Sequence, residues 1–416
     1  MARLRRAGVH ARHLGIQRSP FLPACALGPN RNRDRVSATK NHSRERGKLA
    51  TSLYVHVPYC ESACPYCDFA FVVGQDHTAD RYLSALKREL ADRSSEFSRS
   101  PLQTIYFGGG TPSSLHPEQI GRLLRAIEEE IGISSDVEAT LEADPLHADH
   151  YDGYRALGVN RLSLGIQSFI DRDLRSLGRR HTAAQAIEAI EVARSTGFEN
   201  INIDLIFGAP EQTLNTWRNT IEHAVSLSPD HMSIYGLTIE PDTPFGRRHS
   251  RGSLPVVSDA DQAAMYEWTQ DRLAREGYEH YEISNYARPG RSSLHNLACW
   301  RGAAYVGLGA SAHSFDGLRR SWNVRALSDY LEKIESSAGA TAGHETLTAE
   351  QRQLEGLMLG LRTSDGVHTA SVSGATTTVE DLVDHEMLEK TGDRIRLTPR
   401  GRVLADAVCG RLAGAL

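Results

Sequence analysis

Cysteine is scarce in this chain: six among 416 residues, too few to staple a secreted fold. Long apolar runs are missing as well. No stretch approaches the roughly 18 apolar residues that cross a bilayer. With 40% hydrophobic and 24% charged residues, collagen-like, disulfide-scaffold and largely disordered classes are excluded. The body also lacks a basic excess. Residues 1–48 hold ten Arg and two Lys against Asp34 and Glu45, whereas the remainder carries 35 basic and 50 acidic residues. An acidic body argues against nucleic acid as the main partner. The length suggests two or three domains, although an α/β barrel absorbs about 250 residues as one.

Residues 1–48 show no sustained period of 2 or 3.6 and read as a disordered Arg-rich tail. Three accounts compete for it: an Arg-rich, acid-poor transit peptide, a short signal peptide over Phe21–Leu27 with Ala24-Cys25-Ala26 as a cleavage-like site, and a start placed too early.

From residue 53, β-rich runs alternate with helix-like segments. The runs are Leu53–Val57, Thr104–Phe107, Val137–Leu141, Arg161–Ile166, Ile201–Phe207 and His231–Leu237. Between them, Ala79–Phe97, Pro117–Ile131, Ala183–Ser195 and Gln212–Leu227 carry apolar residues at helical spacing. Strands alternating with helices predict βαβ units and a parallel sheet. About six units, without a dinucleotide glycine fingerprint at the first, point to a barrel or partial barrel. Functional residues should then collect at the carboxyl ends of the strands. After residue 250 the pattern changes: a helix over Ala260–Arg275, a strand over Gly277–Ile283, a Gly-rich stretch to Gly317, and a linker over 338–346. A helix, a second helix and a short hairpin then resemble a winged-helix module. From residue 345 it has 8 basic against 11 acidic residues, which favours a packing or partner role over reading DNA.

Three of the six cysteines stand together, Cys60, Cys64 and Cys67, directly after the first strand. Three thiolates on a short loop can wrap one soft metal centre. A cubane normally takes four Cys, so three local ligands leave one iron open for an exogenous chelator. The bland alternative is structural zinc, which wants four ligands, with His56 completing a Cys3His set. The neighbouring Tyr66 and the position after strand one favour the cluster.

Cys60–Cys67 with Tyr66 resembles the radical S-adenosylmethionine (SAM) motif, and Gly108-Gly109-Gly110-Thr111-Pro112 resembles the superfamily's SAM-binding glycines. Longer stretches, among them Tyr54–Pro58, Cys64–Phe69, Glu142–Pro145, Gly165–Ser168, Leu177–His181 and Asp204–Gly208, are similar to the oxygen-independent coproporphyrinogen III oxidase family. Within it they most resemble the HemW branch, described as haem chaperones. The resemblance runs from about residue 52 to 410.

It implies a partial (β/α)6 radical SAM barrel over 49–250, a barrel-completing extension over 251–337 and a winged-helix-like domain over 338–416. It implies a 4Fe–4S cluster on Cys60, Cys64 and Cys67, with SAM chelating the open iron. SAM contacts are implied for Tyr54, Tyr66, Gly109, Gly110, Thr111, Glu142, Gln167, Arg179 and Asp204. Without the family, Glu142 and Asp204 read as rim carboxylates, with Asp204 free to pair with Arg179. His295-Asn296-Leu297-Ala298-Cys299-Trp300 resembles the branch's HNxxYW motif, linked with haem binding, with Cys299 in place of Tyr. That makes His295 a candidate haem ligand and Cys299 a weaker one. His313 falls in a segment that lines the SAM site in the oxidases.

The decarboxylating oxidases carry a further Cys two positions after the third, where this chain has Phe69. Three functions compete: a haem chaperone holding a cluster, SAM and haem; a coproporphyrinogen III oxidase, which Phe69 disfavours; and a zinc protein with a winged-helix partner module. The first implies haem-accepting partners, respiratory ones included, and an electron donor such as a flavodoxin or ferredoxin. A reduced cluster suits the cytoplasm; the Arg-rich tail leaves an organelle as the alternative.

Overall fold

The computed structural model describes residues 47–416. The tail reading of 1–48 therefore lies, except for Gly47 and Lys48, outside the described residues.

Six parallel strands form as the alternation predicts: β1 (Ser52–Val57), β2 (Leu102–Gly109), β3 (Ile133–Ala143), β4 (Arg161–Gln167), β5 (Ile201–Phe207) and β6 (His231–Gly236). Between them run α1 (Ala79–Asp92), α2 (Pro117–Glu130), α3 (Tyr151–Ala156), α4 (Ala183–Ser195) and α5 (Leu214–Ser226). Local chemistry fixes several helix starts. Pro117 supplies a preset φ at the first position of α2. Thr182 and Thr213 cap α4 and α5, accepting from Gln185 N at 3.3 Å and Thr216 N at 3.2 Å.

The later chain adds α6 (Asp259–Arg275), β7 (Glu279–Glu282), β8 (Asn285–Ala287), α7 (Leu294–Trp300) and β9 (Val306–Leu308). The nine strands are ordered β9-β1-β2-β3-β4-β5-β6-β8-β7, with β9 parallel to β1 and β8 antiparallel to both β6 and β7. The ends do not meet, so the barrel is partial. Its curvature is visible in the lining: side chains from β2 through β8 share one cavity.

Strand alternation divides two environments. Leu162, Leu164 and Ile166 of β4, Ile203 and Leu205 of β5, and Met232 and Ile234 of β6 lie in the main apolar core with the helices. The intervening residues Arg161, Ser163, Gln167, Asn202, Asp204 and Ser233 line the cavity. Parallel strands covered on both faces are usually apolar throughout; here the inner face is polar.

Buried Glu89 of α1 ties the late chain to the early one. Its carboxylate accepts from Gly309 N at 2.8 Å, Asn323 Nδ2 at 2.7 Å and Tyr330 OH at 2.7 Å. The linker expected over 338–346 is instead partly β-structure. β12 (Thr341–Thr346) completes an antiparallel sheet with β10 (His313–Phe315) and β11 (Arg319–Asn323). Its Gly343 pairs with Trp322, whose ring occupies the space a Cβ would need, a cross-strand contact invisible in local composition.

The carboxyl-terminal residues form helix α8 (Ala349–Leu361), β13 (Val367–His368), helix α9 (Thr376–Asp384) and a hairpin, β14 (Leu388–Thr391) with β15 (Arg394–Leu397). This is the helix–helix–wing order expected. Their apolar core takes in Ile283 and Trp300, so the module backs α7. No helix among the described residues is long and apolar enough to cross a membrane.

Candidate functional site

The cavity has a volume of about 1640 Å³, mouth included. At the carboxyl ends of the strands, the loop after β1 brings Cys60, Cys64 and Cys67 to it, all half-buried. Cys64 O accepts from Cys67 N at 3.1 Å, closing a turn. Thr111 Oγ1 donates to Cys60 Sγ at 3.5 Å, and Arg179 donates to Cys64 Sγ at 3.5 Å. Burial pushes the Cys60 thiol up to about 11 and the Cys67 thiol up to about 12, so ligation has to displace protons.

The glycine turn after β2 lies beside this loop. Gly109 has φ 118°, in the region that disfavours a Cβ, and a Cβ there would collide with the His56 ring. A Cβ on Gly110 would lie 2.8 Å from the backbone of Pro58 and Tyr59. The two bare positions let the turn close on the cysteine loop: Gly110 N donates to Val57 O at 2.8 Å and Thr111 N to Tyr59 O at 2.7 Å.

Carboxylates and a guanidinium face the same space. Glu142 accepts from Tyr106 OH at 2.9 Å and Gly109 N at 3.0 Å. Burial, and next the Asp204 charge, push its carboxyl up to about 7. Asp204, raised by burial, accepts from Ser163 Oγ at 3.1 Å and Asn202 Nδ2 at 2.9 Å. The expected Asp204–Arg179 pair does not form. Arg179 instead donates to Asp144 Oδ2 at 2.8 Å and Gly165 O at 3.1 Å, because the chain after β3 carries Asp144 past it. Gln167 adopts φ 65° at the end of β4, and its buried Oε1 has no partner. Tyr66 lines the cavity and packs 6.3 Å from Phe245.

Thus Tyr66, Gly109, Gly110, Thr111, Glu142, Gln167, Arg179 and Asp204 are brought together with the three cysteines. Tyr54, His295 and His313 lie outside the cavity lining. Tyr54 is buried against Tyr106 at 6.1 Å and hydrogen-bonds His56 Nδ1 at 3.1 Å. His295 is fully buried, its Nδ1 2.9 Å from Thr104 Oγ1 and its ring 5.1 Å from Tyr106. His313 packs on Trp322, and burial lowers it to about 4. In α7 the helical period explains the split. Asn296 and Trp300, four apart, line the cavity, whereas His295 and Cys299 take the other face.

The zinc alternative fails on the proposed fourth ligand. His56 Nε2 lies 2.7 Å from Ala70 O, and its Nδ1 is held by Tyr54. Among the described residues, no three His, Cys, Asp or Glu side chains converge on a single-ion position. A cubane asks for something else, one thiolate for each of several irons. Three soft donors on one loop, beside a close-packed glycine turn and an unpartnered buried amide oxygen, fit such a cluster with a nucleotide next to it.

Several lining residues carry no motif: Arg161, Ser233, Tyr235, Glu282 and Asn285. The signal that could have found those on strands is the polar alternation itself, Arg161-Leu-Ser-Leu-Gly-Ile-Gln167 and Asn202-Ile-Asp204, in strands covered by helices.

The family model described as the Radical SAM superfamily matches residues 54–224, and the one described as the HemN C-terminal domain matches residues 347–404. The chain is 26% identical, with a TM-score of 0.77 over 89% of its length and 91% of the other, to the structure described as coproporphyrinogen III oxidase (HemN) from Escherichia coli, a radical SAM enzyme. Fold and site therefore define a radical SAM protein, a class whose cofactors are a 4Fe–4S cluster and SAM. The chain is 36% identical over 88% of its length, and the whole of the other, to the Bacillus subtilis protein named Heme chaperone HemW. It is 30% identical, over 86% of both chains, to a mitochondrial radical SAM domain-containing protein 1 of Danio rerio. The chain belongs to the HemW family.

Proposed function

We propose that this chain is a haem chaperone of the radical SAM class, in which Cys60, Cys64 and Cys67 hold a 4Fe–4S cluster and the cavity mouth holds SAM. The observation that carries the reading is likeness along the whole length of a protein named Heme chaperone HemW. When bound, the cluster and SAM together supply one-electron chemistry at the sulfonium. The chain's own residues bind and shield. Gly109–Thr111 let the backbone approach the ligand. Glu142 and Asp204 offer acceptors for hydroxyl or ammonium groups, while Arg179, fixed by Asp144, presents its remaining N–H groups to a carboxylate or thiolate. Haem is the cargo, passed to acceptor proteins, respiratory ones among them. The electron comes from a low-potential carrier such as a flavodoxin or ferredoxin, and the setting is cytoplasmic.

The competing reading, coproporphyrinogen III oxidation, draws on the likeness to HemN. Against it stands Phe69, which lines the cavity where the oxidases carry a further Cys. Anaerobic purification with iron, sulfide and haem quantified together tests the chaperone reading: all three are expected, and zinc alone would sink it. Incubation with SAM, reductant and coproporphyrinogen separates the two. No protoporphyrinogen is expected, and its formation at catalytic turnover would reverse the assignment.

A further inference from the structure

The cavity is lined from strands β2 to β8 and from α7. Its residues fall into two groups. The thiols, the glycine turn, Gln167 and Arg179 gather at the carboxyl ends of the strands. Arg161, the first residue of β4, lies at the opposite end, in register with Thr140 of β3. Glu282 and Asn285 of β7 and β8 and Asn296 and Trp300 of α7 complete that floor.

Arg161 is the anomaly. It is 1% exposed, yet among the described residues its guanidinium forms no hydrogen bond or ion pair, and its Nε is buried without a partner. Burying a charge in this way is costly unless something pairs with it. Glu142 and Asp204 feel its charge, but the carboxylates of the cavity spend their hydrogen bonds elsewhere: Glu142 on Tyr106 and Gly109, Asp204 on Ser163 and Asn202, Glu282 on Ser284 N at 3.1 Å and on Asn285. Two further floor atoms, Asn285 Oδ1 and Asn296 Oδ1, are also buried and unpartnered. Unsatisfied polar atoms from three separate elements thus meet at one end of one cavity.

We propose that Arg161 anchors a carboxylate of a second ligand, held deeper than the nucleotide, with the indole of Trp300 against the ligand's flat apolar body. The charge pattern selects the group. A guanidinium takes a carboxylate through two parallel hydrogen bonds. The two carboxylates that feel its charge, Glu142 and Asp204, tolerate one delocalised negative charge and disfavour a doubly charged phosphate. The inference rests on the chaperone reading, whose cargo, haem, is flat, apolar and charged only at its propionates and its iron.

The test compares haem with its dimethyl ester by absorbance titration of the full chain with its cluster reconstituted. The chain should bind the free acid at least about tenfold more tightly than the ester, as loss of a desolvated charge pair implies. Arg161→Gln should abolish that preference, and Arg161→Lys should keep part of it. Equal affinity of the unmodified chain for acid and ester would overturn the anchor while leaving the chaperone reading intact, and so would an Arg161→Gln chain that retains the preference. Should the variants not fold, the ester comparison on the unmodified chain still decides. Binding of neither compound would remove the chaperone reading and this inference with it.

Discussion

The two ends of the cavity are built in different ways. At the mouth, the working groups are contiguous in sequence, Cys60–Cys67 on one loop and Gly109–Thr111 on one turn, and backbone hydrogen bonds hold them. At the floor, Arg161, Glu282, Asn285 and Trp300 come from four elements spread over 140 residues, and side-chain burial holds them. The mouth is a peptide feature placed on a scaffold; the floor is the scaffold. Substitutions should therefore divide: variants of the cysteine ligands lose cofactor and keep stability, and floor variants do the reverse.

The sharpest break is Cys64→Ser. Iron, sulfide and the visible cluster absorbance should be lost, while the thermal midpoint of the metal-free protein moves by no more than about 2 °C. Retained absorbance would dissolve the division at its stronger end. Next comes the floor's Glu282, which burial pushes from its ordinary 4.5 up to about 7. A carboxyl whose folded value is raised favours the fold at low pH and loses that contribution as pH rises through the window between the two. Glu282 should thus withdraw up to about 3 kcal/mol of stability between pH 4.5 and 7. Denaturant titrations across that range should show Glu282→Gln lacking this part of the slope; parallel curves for the two chains would refute it.

Gly109→Ala probes a mouth position where backbone conformation rather than a ligand side chain is at stake. Forcing a Cβ into φ 118° against His56 should cost about 1–3 kcal/mol and loosen SAM, read by calorimetry. An unchanged SAM affinity would separate the turn from the nucleotide. The smallest effect is expected from His295→Gln, which gives up the Thr104 contact for about 1 kcal/mol and leaves haem affinity unchanged. A clear fall in haem affinity would mean that His295 turns into the cavity when haem binds.

The same contrast explains what could be read from the sequence. The six parallel strands were legible because their β-rich runs are punctuated by helices with apolar spacing. The mouth was legible because its chemistry is local: three thiols within eight residues and three consecutive glycines. The floor was not, since nothing near Arg161 in the chain announces Glu282 or Trp300, and only the curvature of the sheet unites them. The HNxxCW segment was located as a feature but not oriented; a helical period alone does not say which face, Asn296 with Trp300 or His295 with Cys299, meets the ligand. The 338–346 stretch reads as a linker because its small and polar residues hide a strand whose partner is β11.

The pairing of β9 with β1 carries a consequence for biosynthesis. Strand β1, the first among the described residues, keeps one side of its backbone unpaired until Val306–Leu308 have been made, when three-quarters of the given sequence has been translated. Nascent intermediates of this protein carry a naked sheet edge, a surface that invites aggregation. Truncations that stop after the sixth strand inherit that exposed border permanently.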